Sequence, residues 1–256
     1  MRILVTNDDG VESPGITALA DALRVLGDVV VVAPDGDRSG VAHSLSIHSP
    51  VRLRELRGRS VPTYVCWGTP ADCVVVGSYE IFSALPDLVV SGINRGANAG
   101  DDITYSGTIA AAIEALLVGV PSIAVSLAIA WPISEDEPHW ETAAQCAVEL
   151  AERAKSFDLP PTTLLNVNVP NFEPPRLRGV RLTSQARKRY KDRTDRRVDP
   201  RGETYVWIWG SHNAAEIEEG SDLAALRDGY ASVTPISIDR TDDATLARLR
   251  GVHSPS

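Results

Sequence analysis

Over roughly the first two thirds of the chain, short runs rich in Val and Ile alternate with longer stretches of helical spacing, the rhythm of a parallel sheet covered by helices on both faces. The expected strands are Arg2–Thr6, Val29–Ala33, Asp87–Ser91, Ser122–Ser126 and Leu164–Val169. Between them, apolar spacing or start signals such as Thr69-Pro70 predict helices over Pro14–Leu26, Pro70–Tyr79, Gly107–Val118 and His139–Lys155. From about Val41 to Cys66 the alternation weakens, and Ser44–Arg54 with Thr63–Cys66 reads as a peripheral hairpin. Residues 115–133 carry no charge and reach the length of a membrane span, yet Gly119 and Pro121 interrupt them. A buried helix end followed by a central strand accounts for them better. The expected fold class is α/β, a doubly wound, mostly parallel sheet.

After Pro170 the character changes. Residues 176–201 hold eleven Lys and Arg against three Asp, a local balance of +8. The whole chain of 256 residues carries −9, so the remainder carries −17. The following run alternates Tyr205, Trp207 and Trp209 with Val206 and Ile208, which predicts a β-arm projecting from the sheet, its aromatics serving an interface or the core. Asp222–Arg227 then reads as a short helix, Ala231–Ile238 as a strand and Asp243–Arg250 as a terminal helix. Two regions follow, 1–170 carrying the sheet and 171–256 carrying the arm, a strand and a helix.

Composition narrows the classes. With 43% hydrophobic residues the chain can bury a substantial core, which excludes a disordered protein. The acidic balance excludes a surface that coats nucleic acid or an anionic membrane, so no membrane partner and no stable nucleic-acid complex are expected. Cys66, Cys73 and Cys146 are odd in number and lack paired spacings, so they read as buried small hydrophobes in a reducing compartment. Met1-Arg2 runs straight into Ile3-Leu4-Val5, too short for a signal peptide, and the expected location is the cytoplasm.

In an open α/β sheet ligands bind outside the carboxyl ends of the strands, so the loops there matter most. They read Asn7-Asp8-Asp9-Gly10, Ala33 to Gly40, and Ser91 to Asp102. Adjacent carboxylates disfavour each other's ionisation unless a cation joins them. Asp8 and Asp9 with the Ser39 hydroxyl and the Asn94 amide carbonyl make an all-oxygen set that suits Mg²⁺, Mn²⁺ or Ca²⁺ rather than Zn²⁺. The bland alternative is that the two aspartates cap the helix beginning near Pro14. Tyr105-Ser106-Gly107-Thr108 opens the next helix and offers hydroxyls and free N–H groups to a phosphate, although Ser106 also fits an ordinary N-cap. An isolated histidine is more often structural than catalytic, so His43 and His48 read first as structural, with a part in the chemistry the less favoured alternative, and His139, His212 and His253 lie in no motif.

Taken together, Asn7-Asp8-Asp9-Gly10, Ala33-Pro34 with Ser39-Gly40, Ser91-Gly-Ile-Asn-Arg-Gly-Ala-Asn98 and Tyr105-Ser-Gly-Thr108 resemble the SurE family of survival-protein nucleotidases. The likeness runs on through Val198 to Gly202 and Gly229 to Pro235, nearly the whole chain. It implies a Rossmann-like domain and a metal-dependent phosphohydrolase of nucleoside monophosphates, a 5'/3'-nucleotidase. One divalent ion per subunit, Mg²⁺ or Mn²⁺ with Ca²⁺ also compatible, would be held by Asp8, Asp9, Ser39 and Asn94. Asp8 and Asp9 would be catalytic, while Asn94, Asn98, Ser106, Gly107 and Thr108 would hold the phosphate. The resemblance also implies C-terminal exchange in a homodimer or homotetramer. The attacking group is either a metal-activated water or Asp9 itself. Haloacid-dehalogenase phosphatases, a rival class, use Asp-x-Asp and a late lysine, whereas here the acids adjoin and the only lysines are Lys155, Lys188 and Lys191. A non-catalytic receiver domain would place an aspartate after the third strand, where this chain has Ser91-Gly92-Ile93-Asn94.

Overall fold

The computed structural model describes residues 1–129, 137–187, 190–212 and 217–252; Lys188, His253 and the end of the uncharged 115–133 stretch fall outside them. Nine strands form one sheet: β1 (Arg2–Thr6), β2 (Asp28–Pro34), β3 (Leu53–Leu56), β4 (Thr63–Cys66), β5 (Leu88–Arg95), β6 (Ser122–Ala128), β7 (Thr163–Pro170), β8 (Val180–Leu182) and β11 (Ala231–Ser237), in the order β3-β4-β2-β1-β5-β6-β7-β11-β8. The pairs β3–β4 and β7–β11 are antiparallel and the rest parallel. Two further strands, β9 (Tyr190–Val198) and β10 (Thr204–His212), pair with each other and, among the described residues, with no other strand. The helices are α1 (Pro14–Leu23), α2 (Pro70–Val76), α3 (Gly107–Leu117), α4 (Trp140–Arg153), α5 (Asp222–Arg227) and α6 (Asp243–Val252).

The two-residue period of the strands divides the core. Ile3, Val5, Val29, Val31, Leu88 and Val90 face α1 and α4, whose inner faces bring Ile16, Leu19, Ala143 and Ala147. Leu4, Val32 and Val89 face the other way, onto Val74 of α2 and Ala111 and Ala115 of α3. Parallel strands covered on both faces need near-continuous apolar sequence, which Ile3-Leu4-Val5 and Leu88-Val89-Val90 supply. No helix among the described residues is long and apolar enough to cross a membrane.

Three expectations change. Of Ser44–Arg54, only its end forms strand: β3 begins at Leu53, and the preceding loop is tied to α2 by Thr69 Oγ1 donating to Ser44 O (2.8 Å) and Ser46 N donating to Asp72 Oδ1 (2.9 Å). These bonds satisfy backbone groups that a ladder would otherwise use. The hairpin of β3 and β4 is also no appendage, since β4 pairs with β2 and extends the main sheet. Finally, β5 continues past Ser91 to Arg95, with a register shift between Ser91 and Asn94 that carries it beyond the end of β1 while it stays paired with β6. Gly92 sits at that shift with φ +135, and a Cβ there would lie 2.2 Å from Val125 O, so only glycine fits.

Candidate active site

The carboxyl ends of β1, β2 and β5 converge, and the first loop is held rigidly. Asn7 Nδ2 donates to Gly10 O (2.9 Å) while Gly10 N donates back to Asn7 Oδ1 (3.2 Å). Between them, Asp8 is only 4% exposed, and its Oδ1 accepts from Thr108 Oγ1 at 2.6 Å. Asp9 Oδ2 accepts from the Arg95 N–H at 3.0 Å. Helix α1 instead has Ser13 at its N-cap position, and the bonds of both carboxylates go elsewhere, so capping does not explain the pair.

The second loop joins the first through Arg38 N donating to Asp8 O (2.7 Å). Ser39 donates both its N–H (2.8 Å) and its hydroxyl (2.6 Å) to Asp37 Oδ1, which holds the Asp37 carboxyl below its ordinary value. With its proton so directed, the Ser39 oxygen keeps lone pairs to offer a cation. In the third loop Asn94 Nδ2 donates to Gly96 O (2.8 Å), leaving the amide oxygen as its coordinating atom. Asp8, Ser39, Asn94, Asn98 and Ser106 line one cavity of about 290 Å³, with Arg95 and Tyr105 at its wall. Asp9 stands beside that wall on the Arg95 backbone, while Gly107 and Thr108 lie against Asp8. Ser106 caps α3, its oxygen accepting from Ile109 N at 3.1 Å, and the Thr108 hydroxyl is directed at Asp8. His48 is exposed; His43 is bonded to Glu114. A second cavity of about 300 Å³, lined by residues such as Leu88, Pro121 and Thr163, opens at the amino ends of the strands, away from the carboxylates.

Burial raises the Asp8 carboxyl, opposed by the bonds from Thr108. It raises Asp9 to about 6, opposed by the Arg95 N–H and reinforced by the neighbouring charge of Asp8. Burial thus works against ionising both acids, and a cation between them would offset that cost. Among the described residues no group of three or more His, Cys, Asp or Glu is arranged to hold a metal. The set here is of another kind, two carboxylates supplemented by a hydroxyl and an amide, and its hard oxygens fit Mg²⁺ or Mn²⁺.

Gly107 tests this packing. A Cβ at that position would lie 2.7 Å from Asp8 Cβ and 2.9 Å from Oδ2, so Gly107→Ala must displace the carboxylate. The expected result is a loss of metal affinity of about tenfold or more, as for other groups that orient a ligand, read by calorimetry with Mn²⁺. Parental affinity in the variant would show that the contact positions nothing.

Asn98, already named from its loop, owes its placement to partners outside it, and two further contributors, Asp222 and Arg95, were not expected. Asn98 is placed by buried polar partners: its N–H donates to Asn168 Oδ1 (2.8 Å), its amide to Ser126 Oγ (2.9 Å), and its carbonyl accepts from Asn166 (2.8 Å) and Asn168 (3.0 Å). Two asparagines inside the apolar strand Leu164-Leu-Asn-Val-Asn-Val were the signal. Asp222, fully buried, accepts from Gly100 N (2.8 Å) and Ala186 N (3.0 Å) and so ties the third loop to the root of the arm. Arg95 places an exposed cation beside Asp9.

A doubly wound α/β sheet with an acidic, oxygen-lined pocket at its strand ends defines the class of protein. A family model described as survival protein SurE matches residues 3–192, and the chain belongs to the SurE family. It is 50% identical over 242 residues to the 5'-nucleotidase SurE of Syntrophotalea carbinolica, covering 94% of this chain and 93% of that one. It is 47% identical over 250 residues to the protein of the same name from Geobacter sulfurreducens, covering 98% and 93%. Among solved structures, the SurE protein from Aquifex aeolicus superposes with a TM-score of 0.85 at 40% identity, over 99% of this chain and 100% of that one.

Proposed function

We propose that this chain is a metal-dependent phosphohydrolase that releases phosphate from nucleoside monophosphates, a 5'/3'-nucleotidase. The observation that carries the reading is the adjacent pair at the end of β1, Asp8 buried against the first turn of α3 and Asp9 half-buried on the Arg95 backbone, in a chain whose relatives bear the name 5'-nucleotidase SurE. Asp8, Asp9, Ser39 and Asn94 would hold one Mg²⁺ or Mn²⁺. When bound, the ion would neutralise phosphate charge and lower the pKa of a water. Asn98 and Ser106 on the cavity wall and Gly107 at the start of α3 would face the phosphoryl group, at the positive end of the α3 dipole. Thr108 keeps Asp8 oriented through its 2.6 Å bond. In the net reaction a P–O ester bond breaks, a P–O bond to water's oxygen forms, and the departing oxygen takes up a proton given up by that water to become the nucleoside's hydroxyl.

We place the protein in the cytoplasm, a reading supported by its three free, buried cysteines. Residues 1–170 form the catalytic part, and the segment after 170 supplies an arm exchanged between subunits of a homodimer or homotetramer.

Release of inorganic phosphate from a panel of nucleoside monophosphates, sugar phosphates and an aryl phosphate tests the assignment. Nucleotides should be hydrolysed best, excess chelator should abolish turnover, and Mg²⁺ or Mn²⁺ should restore it. Full activity in chelator would refute the metal site, and a wide margin for sugar phosphates would refute the substrate class.

A further inference from the structure

We infer that His43 and Glu114 form a strut that sets the position of the Ser39 loop against α3, making His43 a positioning residue of the active site. His43 Nε2 lies 2.8 Å from Glu114 Oε2, with the ring 26% and the carboxylate side chain 9% exposed. A carboxylate so far removed from water is retained at a cost unless a partner meets it. That partner comes from a loop segment with no strand or helix of its own, and Ala42 just before it holds φ at +52, an uncommon conformation for alanine.

The strut spans two parts of the site. His43 lies four residues after Ser39, and Glu114 lies eight residues into the helix that Ser106 caps, about 12 Å along the axis at 1.5 Å per residue. A second tie sits at the start of the helix, where Ala42 N donates to Tyr105 O at 3.3 Å. The segment after Ser39 is thereby fixed against α3 both at the start of the helix and at Glu114, in its last third. One side of this assembly carries an oxygen of the proposed cation set and the other the phosphate-facing turn, so their separation depends on the strut. This contact joins a part-buried ring to a buried carboxylate, and neither group touches the reacting atoms.

The inference rests on Ser39 belonging to a metal site. A merely structural ion pair and a positioning strut diverge in a double variant. His43→Ala leaves the Glu114 carboxylate buried without its partner and should lower resistance to denaturant. Adding Glu114→Gln removes that charge and should recover most of the stability. Under a positioning role the double variant still binds Mn²⁺ about tenfold or more weakly by calorimetry, the loss seen when groups that orient ligands are removed. Its Ala42 amide should also exchange with solvent faster than in the parent without metal. His43→Gln, which can still donate to Glu114, should recover part of the affinity. A stable double variant with parental Mn²⁺ affinity and parental Ala42 exchange overturns the strut alone. A parent that binds no Mn²⁺ overturns the metal site and the strut with it.

Discussion

Asp9→Asn should lower phosphate release by about 10² to 10³-fold, the cost of removing a preorganised electrostatic group, while making the metal-free protein more stable at neutral pH. Both effects come from the same burial. Asp9 is pushed up to about 6 from an ordinary value of 3.8, first by burial and then by the charge of Asp8. The folded protein therefore holds this proton more tightly than the unfolded chain does. The stability Asp9 lends is complete below pH 3.8 and is lost as pH rises through about 6. Asparagine carries no charge to penalise, so the variant should match the parent at pH 3.8 and exceed it above pH 6 in chelator. With Mn²⁺ the order should reverse, because a ligand present at a hundred times its Kd stabilises by about 2.7 kcal/mol and only the parent binds it well. Denaturant titrations at several pH values, with metal and with chelator, check both halves. Equal stability of the two proteins above pH 6 in chelator would contradict the electrostatic account, and undiminished turnover would contradict the assignment of Asp9.

Much of this arrangement was legible in residues close together in the chain. Ile3-Leu4-Val5 and Leu88-Val89-Val90 announced central strands, and the acidic pair Asp8-Asp9 announced the strand end at which the three loops converge. What stayed hidden depends on contacts across long separations. Thr108 read as a phosphate donor from its place at a helix start, yet its hydroxyl meets Asp8, 100 residues away. Asn98 depends on Asn168, 70 residues on, and Gly100 on Asp222, 122 residues on. Periodicity also could not say that β8 and β11 join the sheet of the first 170 residues, because pairing partners are chosen by tertiary packing. The loop after Ser44 looked strand-like because its Leu45 and Ile47 alternate with serines, but both are exposed and its backbone bonds go to α2. Arg95 and Glu114 gave no signal by themselves; their roles arise from a bulge and a helix face.

Excision of residues 187–210 should shift the protein towards monomer while leaving Mn²⁺ binding in place. Strands β9 and β10 form a two-stranded sheet of their own, nine residues in register from Thr204↔Val198 to His212↔Tyr190. An isolated hairpin is marginally stable in water, and this one exposes Tyr205 by 42%, Val206 by 51%, Trp207 by 60% and Ile208 by 80%. Apolar side chains on both faces and open strand edges together ask for a cover, which a second copy of the chain can supply by exchange. Charge favours the same partner: the basic balance of +8 over residues 176–201 would meet a body carrying −17, which would steer association and weaken it at high salt. A solvated hairpin with local ion pairs, such as Arg197–Asp195 at 2.6 Å, is the competing account, and such exposed pairs contribute little. A flexible linker joins Ala186 to Ser211, and the Ala186–Asp222 bond at the root is retained. Light scattering then decides: a parent oligomer that falls to the monomer mass places assembly in the arm, whereas an oligomer of unchanged stoichiometry after excision removes the arm from assembly.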